Sequence, residues 1–458
     1  MAQPAGIANV AALDRLKQQK AWNWYDWANS AFYTTVLSVL YGPYLSSVAG
    51  NAAGCTAAED PCNRLVHVAG IPMSVGSLPL YVTSFATFIS AFVLPIVGAI
   101  ADRSSRKKWH MAGYAWAGAL SASLMFFVEG TNWQLGVISV LLASVLAGCS
   151  LVSYYAILVD ISTEDERDRV SSRGWAWGYL GGGLLLVINL VMVQKPDLFG
   201  FDTGMAVRAS LASAAIWWAV FTIIPVIRLR NYEPRNVLEE KGGLLQRSFG
   251  QLFATLKEVR ALPQTMTFLL AYLFFNDGIQ TVIYAASKYG QEQLGFPASV
   301  MIVTILLIQF VAFGGALLFG RLAEKMGAYR VIYAGVLIWI VIVIVAMFVP
   351  KGNAPLFYLV AVAIGIVLGG TQALSRSFFS LFIPHGREGE YFALYNAVER
   401  GTSWIGMLMF GVLFQLIGNY RPAVGALAVM FIIGAYFLRK LDVVAGIKEA
   451  GNNVPSVV

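Results

Sequence analysis

The run Trp22-Asn23-Trp24-Tyr25-Asp26-Trp27-Ala28-Asn29-Ser30-Ala31-Phe32-Tyr33 puts a carboxylate, an amide and a hydroxyl at the start of the first long apolar segment. An Asp at the centre of a membrane helix costs roughly 2.5–3.5 kcal/mol on insertion scales, so function is the default reading of such a charge. A second set stands far downstream: Asn276-Asp277-Gly278-Ile279-Gln280-Thr281-Val282-Ile283-Tyr284 repeats the carboxylate, amide, hydroxyl and tyrosine at equal spacing. In each set helical periodicity puts the carboxylate and the amide three residues on upon one face. Such carboxylates can bind a substrate amine or a proton, with Asn29, Ser30, Gln280 and Thr281 supplying hydrogen bonds. Trp27, Tyr33 and Tyr284 can line a cavity or anchor span ends at the lipid–water boundary. Asp26 has a second reading as a cap or interfacial charge near the end of its span, whereas Asp277 lies deeper in its apolar run.

Two further stretches carry unusual polar groups, Gly369-Gly-Thr-Gln372-Ala-Leu-Ser375-Arg376-Ser377 and Tyr395-Asn396-Ala-Val-Glu399-Arg400-Gly401. Arg376 is the natural partner of an anion, either a substrate carboxylate or Glu399. Glu399 and Arg400 lie in an apolar run and need partners or water. Neighbours on a helix point about 100° apart, so these two do not simply pair with each other. A gate or interdomain ion pair is the first reading for them, and direct substrate contact the second.

The elements that hold these residues are membrane spans. Of 458 residues 58% are hydrophobic and 12% charged, with a mean hydropathy of +0.66, far from the balance of a soluble domain. Twelve apolar runs are centred near Ser38, Ser90, Gly118, Leu146, Leu186, Ala219, Thr281, Gln309, Ile340, Gly365, Met407 and Phe431. Barrel strands would be about half as long and would alternate, so the runs predict helices. The net charge of +7 is a matter of sidedness. Basic residues concentrate in alternate connections, such as Arg103 to Lys108, Arg167 to Arg173 and the segment between Arg228 and Arg260. By the positive-inside rule both termini are expected in the cytoplasm, and a nucleic-acid partner is not.

Residues 1–21 form an arm, with Leu13 and Leu16 in an amphipathic turn or a frayed end; residues 22–227 form a first six-helix bundle and 228–262 a linker. Residues 263–439 form the second bundle and 440–458 a tail. No cleavable signal peptide is expected, since no short apolar core precedes a small-residue cleavage site. Cys55 and Cys62 share the first outer loop, as one disulfide in an oxidising compartment or as two thiols. His67, His110 and His385 show neither metal-ligand spacing nor a triad context, so no metal, cofactor or enzymatic activity is expected. No Gly-x-x-x-x-Gly-Lys-Ser/Thr phosphate loop occurs, so transport would draw on a gradient.

Between spans 2 and 3 the chain reads Gly98-Ala-Ile-Ala-Asp102-Arg103-Ser-Ser105-Arg106-Lys107-Lys108. Gly98 allows close helix approach, Asp102 can sit at a neighbouring helix N-terminus, and the basic cluster can pair with acidic groups or lipid phosphates. A second copy, Gly320-Arg-Leu-Ala-Glu324-Lys325-Met-Gly327-Ala-Tyr-Arg330, stands between spans 8 and 9. The pattern resembles the gating signature of the major facilitator superfamily, with Ser105 where that signature has Gly and Glu324 in place of Asp. Gly174-Trp-Ala-Trp-Gly178-Tyr179-Leu-Gly181-Gly182-Gly183 in span 5 resembles that superfamily's antiporter motif, with Tyr179 where the motif has proline. The glycines would serve helix packing or an antiport hinge.

Tyr-Asp-Trp-Ala-Asn-Ser-Ala-Phe in span 1, Arg-Val-Ser-Ser-x-Gly-x-Ala-x-Gly-Tyr at span 5 and Gln-Ala-Leu-Ser-Arg-Ser in span 10 resemble one branch of the superfamily. It contains the autophagy-related vacuole amino-acid effluxers and bacterial relatives. The resemblance implies an all-α integral membrane fold of twelve helices in two pseudo-symmetric six-helix bundles. It implies a secondary active transporter of a small polar or zwitterionic solute, with an amino acid and export favoured and a proton as candidate coupling ion. The protein would work by alternating access as a monomer in a bacterial inner membrane. A peptide-like metabolite, drug or lipid cargo, or a non-transporting sensor, is the alternative.

Overall fold

A computed structural model describes residues 5–55, 64–234, 257, 259–401 and 404–458. Hydrocarbon offers no partner for backbone N–H and C=O groups, so an apolar chain satisfies them within helices. Among the described residues nine helices are long and apolar enough to cross a membrane. They are α3 (Leu78–Asp102), α5 (Trp133–Ile161), α6 (Arg167–Gln194), α7 (Thr203–Arg228), α8 (Pro263–Lys288), α9 (Ala298–Met326), α10 (Ala328–Met347), α11 (Ala354–Ser380) and the segment ending in α15 (Ala428–Lys440). α14 (Tyr420–Ala426) leads into α15.

The other three expected spans are also helical. α1 (Ala5–Ala31) continues without a break from the arm into span 1, through a π-helical stretch, Phe32–Leu40, to α2 (Tyr41–Ala52). α4 (Lys107–Ser123) ends in the 3-10 turn Leu124–Phe127. Span 11 is described as α12 (Glu388–Gly401) and α13 (Trp404–Ile417), and residues 402 and 403 between them lie outside the described residues. A second π-helical turn, Tyr289–Gln293, follows α8, on the helix whose polar residues repeat those of span 1.

The first outer loop contains an element that its composition did not suggest. β1 (Leu65–Val68) and β2 (Ile71–Ser74) pair antiparallel, Val68 opposite Ile71. Ala69 and Gly70 make the turn with φ of 49° and 83°, the left-handed pair that matches strand twist in a two-residue hairpin. Cys55 is disulfide-bonded, Cys149 is buried and outside any disulfide, and Cys62 lies outside the described residues.

α1 packs on α6 and α7, α4 on α5 and α7, and α3 on α5. Downstream, α9 packs on α11, α10 on α11 and α15, and α8 on α15. The two sets meet where α6 runs along α9 and α11, and where α12 lies against α3 and α5. Aromatic side chains fill the interior, with Trp22, Trp218 and Trp339 all fully buried. Leu80, Phe85, Phe88 and Phe92 on α3 face outward, as a lipid-facing surface requires.

Candidate functional site

The polar stretch of α1 meets α11 through one ion pair. Arg376 Nη1 and Nη2 donate to Asp26 Oδ1 and Oδ2 at 3.3 and 3.1 Å, a fork-to-fork arrangement between residues 350 apart in sequence. Both are buried, Arg376 at 1% and Asp26 at 6% exposure. Two further donors are used: Nε binds Ser171 Oγ at 2.9 Å and Nη2 the Ser171 carbonyl at 3.0 Å. Ser171 Oγ in turn donates to the Ala373 carbonyl at 2.6 Å, so α6 is stitched to α11 beside the pair. Four rings, those of Trp22, Tyr154, Tyr155 and Trp175, lie 4.8 to 5.6 Å from the guanidinium carbon. Their π-faces compensate part of the lost hydration. Trp22 is held by its own bond from Nε1 to the Tyr154 carbonyl at 2.9 Å and by stacking on Tyr154.

In this conformation the fork of Arg376 is taken up by the bidentate carboxylate of Asp26. Both carboxylate oxygens of Asp26 accept from Arg376.

The glycines of α6 make room for this arrangement. A Cβ on Gly174 would stand 2.3 Å from Asp26 Oδ2, and one on Gly178 2.5 Å from Ser30 Oγ. Gly181 and Gly182 face Trp27 and Thr34 in the same way. The stripe therefore seats α1 in close contact. Gly174→Ala is expected to destabilise the protein by about 1–3 kcal/mol as an overpacked interior. Gly113→Ala, with nothing within 4 Å of its Cβ position, should be silent in the same thermal unfolding measurement.

The repeated set on α8 is placed differently. Asp277, 1% exposed, accepts from the Gly406 backbone N–H through Oδ2 at 2.8 Å, and its Oδ1 has no hydrogen-bond partner. Thr281 is buried and donates back to the Asp277 carbonyl at 2.8 Å. Asn276 accepts from Gln372 Nε2 at 2.9 Å and donates to the Glu399 carbonyl at 3.1 Å, which joins α8, α11 and α12. Two more buried acceptors, Gln372 Oε1 and Asn396 Oδ1, are unpartnered. The Asn396 amide nitrogen donates to the Phe392 carbonyl at 2.9 Å. Orphaned buried acceptors are rare and mark a place that a donor, such as an ammonium, a water or a proton, would satisfy. Asn29 is buried with its Nδ2 unpartnered, while Ser30, Tyr33 and Gln280 are half-buried. Tyr284 is 49% exposed, Glu399 is half-buried, and the Arg400 side chain lies outside the described residues.

The two motif copies lie at one end of the bundle, with unequal contacts. Asp102 accepts from the N–H groups of Gly389 and Glu390 at 2.6 and 3.0 Å, capping the start of α12. Gly98 lets the backbones touch: a Cβ there would be 2.4 Å from the Gly389 carbonyl oxygen. Lys107 binds Asp160 at 2.8 Å in a buried pair that ties α4 to the end of α5. Arg103, Ser104, Ser105, Arg106 and His110 line a surface cavity of about 420 Å³. In the second copy Gly320 packs on Ser172, where a Cβ would be 2.6 Å from the Ser172 Cβ. Glu324, at 41% side-chain exposure, lies 3.9 Å from Arg169, a surface pair rather than a helix cap. Lys325 and Arg330 are exposed.

Several bridging residues were not singled out in the sequence. Ser377 donates to Asp168 at 2.6 Å, Arg167 reaches the Ser380 carbonyl and hydroxyl at 3.4 Å, and Gln309 donates to Thr34 at 2.9 Å. Ser171 and Ser377 fall in the sequence blocks that mark the branch, which was the available signal.

The profile of the family described as "Vacuole effluxer Atg22 like" matches residues 15–165 and 159–451. The chain is 30% identical over 424 residues to the uncharacterized MFS-type transporter YxiO of Bacillus subtilis (strain 168), covering 92% of this chain and 94% of that one. It is 22% identical over 464 residues to Autophagy-related protein 22 of Botryotinia fuckeliana (strain B05.10), covering 84% and 77%. Among solved structures it is similar to the proton:xylose symporter XylE, with a TM-score of 0.67 at 10% identity over 94% of this chain and 96% of that one. It is also similar to FucP in the outward conformation, with a TM-score of 0.64 at 13% identity over 93% and 98%. The fold is that of the major facilitator superfamily, and the protein is an integral membrane transporter rather than an enzyme. With the profile spanning nearly the whole chain, the protein belongs to the Atg22-like family of major facilitator transporters.

Proposed function

We propose that the protein exports a small polar or zwitterionic solute, with amino acids the favoured class, by alternating access between residues 22–227 and 263–439. Most of the linker between them, within 228–262, lies outside the described residues. The observation that carries this reading is the buried Asp26–Arg376 fork between α1 and α11. A buried charge pair across two helix groups adds little net stability but holds one geometry. It therefore suits a tie that is broken and remade in each cycle. By the positive-inside rule the tied end is the cytoplasmic one, which makes this a conformation closed to the cytoplasm.

Asp277 is the proposed site for a proton or a substrate amine, because its second carboxylate oxygen is buried without a partner. Asn276, Gln372 and Asn396 supply further buried amide groups from α8, α11 and α12. The Atg22 relatives and the vacuole-effluxer family description favour efflux, and the Bacillus subtilis relative favours a bacterial plasma membrane.

Purified protein in proteoliposomes should transport one class of amino acid and respond to an imposed pH gradient. Asp277→Asn should cut gradient-driven flux at least tenfold, roughly the loss of one charge-assisted contact. Its insertion and thermal unfolding should stay near those of the unaltered protein. Full activity of this variant across the pH range would eliminate the proton and amine roles together.

A further inference from the structure

The segment after α15 has contacts on both sets of helices. Asp442 N donates to Gln264 Oε1 at 2.8 Å, and its carboxylate caps α16 (Val443–Glu449) by accepting from Ala445 N at 2.9 Å. Gly451, at φ 74°, then turns the chain. Asn452, 8% exposed, splits its two amide hydrogens between the Leu381 and Ile383 carbonyls, each at 2.8 Å. These contacts anchor the tail to the start of α8 and to the residues that follow α11.

Four residues further on, the chain crosses over. Ser456 donates from both N and Oγ to Asp165 Oδ1, at 2.7 and 2.9 Å, in the turn between α5 and α6. Val458 lies against Gly327, where a Cβ would come 2.2 Å from its carbonyl carbon. Gly327 has φ 87°, so the turn between α9 and α10 presents bare backbone to the tail. The tail thus spans the same end that Asp26–Arg376 and Asp102 hold closed. Asn452 and Ser456 lie beyond residue 451, where the family profile match ends.

We propose that residues 442–458 form a strap that holds this end shut, and that Ser456 must leave Asp165 before the end can open. The inference rests on the alternating-access reading above. Asn452 is the anchor, since both its donors are satisfied and buried on one set of helices. Ser456 and Asp165 are the clasp, and it is exposed. Hydrogen bonds at an exposed carboxylate are weak, so the clasp biases the equilibrium rather than locking it. Removing it should raise the open-to-closed ratio about threefold to tenfold. The faster opening should also raise the exchange rate of substrate.

The test uses spin labels on Lys20→Cys and Arg330→Cys, two exposed positions of the full chain at this end, one on each set of helices. Three changes are compared in that background: Asp165→Ala, a chain ending at Leu441, and Asp26→Asn. Longer distances in Asp165→Ala support the strap, and the shortened chain should then match it. Asp165→Ala keeps the test valid if the shortened chain does not fold, because it alters only an exposed turn. Longer distances in Asp26→Asn alone overturn the strap and leave the alternating-access reading standing. Unchanged distances in all three overturn both.

Discussion

Arg376→Met is expected to abolish transport and to lower stability by about 3–5 kcal/mol, the loss typical when one partner of a buried pair is removed. The cause is Asp26, which the substitution would leave buried at 6% exposure without its guanidinium fork. Arg376→Lys should not restore function. A single ammonium cannot supply two parallel bonds to Asp26, a third to Ser171 Oγ and a fourth to its carbonyl. It also stacks less well among the four surrounding rings. Replacing both partners, Asp26→Leu with Arg376→Met, should recover most of the stability, since exchanging a buried pair for apolar groups is often neutral. The double variant should still fail to transport. Thermal unfolding read beside proteoliposome flux separates the two effects. Wild-type flux in the double variant would show that the pair is structural and not a gate.

Much of the fold is legible from hydropathy, because a bilayer allows an apolar chain few alternatives to the helix. The twelve expected runs coincide with helical segments, though among the described residues only nine are long and apolar enough to stand as spans by themselves. The other three are divided: span 1 by the π-helical stretch Phe32–Leu40, span 3 where α4 gives way to the 3-10 turn, and span 11 at residues 402 and 403, which lie outside the described residues. The hairpin at Leu65–Ser74 was not legible, since it depends on Ala69 adopting φ of 49°, which residues other than Gly, Asn and Asp seldom do.

The site residues were legible as types and not as pairs. Asp26 and Arg376 each stand out as charges in apolar surroundings, but at a sequence separation of 350 nothing hints that α1 and α11 touch. Ser171 and Ser377 bridge α6 and α11, yet a helical serine usually satisfies itself on its own backbone, so apart from the branch-like blocks in which they stand nothing marks them as bridges. The repeat of Asp26 in Asp277 is real in sequence and unequal in contact: one carboxylate is saturated by an arginine, the other keeps an oxygen without a partner. The same inequality separates Asp102, a buried helix cap, from Glu324, an exposed surface pair. A single conformation of a two-part transporter breaks the symmetry that its sequence repeats, and identical residues then report different states of the cycle.

Gly98→Val should drive the protein away from this conformation more strongly than any other single change in the motif copies. The first added atom would stand 2.4 Å from the Gly389 carbonyl oxygen and 2.9 Å from Glu390 N, which are backbone and cannot rotate aside. Relief requires α3 and α12 to separate, and separation also removes the carboxylate of Asp102 from the two N–H groups that it caps. The overpacking costs about 1–3 kcal/mol, and the lost cap at the positive end of a helix adds about 0.3–1 kcal/mol. Since the strain exists only while the two helices are together, it shifts the balance toward the state open at this end and need not unfold the protein. The expected readout is a longer distance between labels at Lys20 and Arg330, with flux reduced because the closed state is seldom regained. Gly113→Val on α4, where no atom lies within 4 Å of the Cβ position, controls for the poorer helix propensity of valine. Equal behaviour of the two variants would mean that the α3–α12 contact does not govern which side is open.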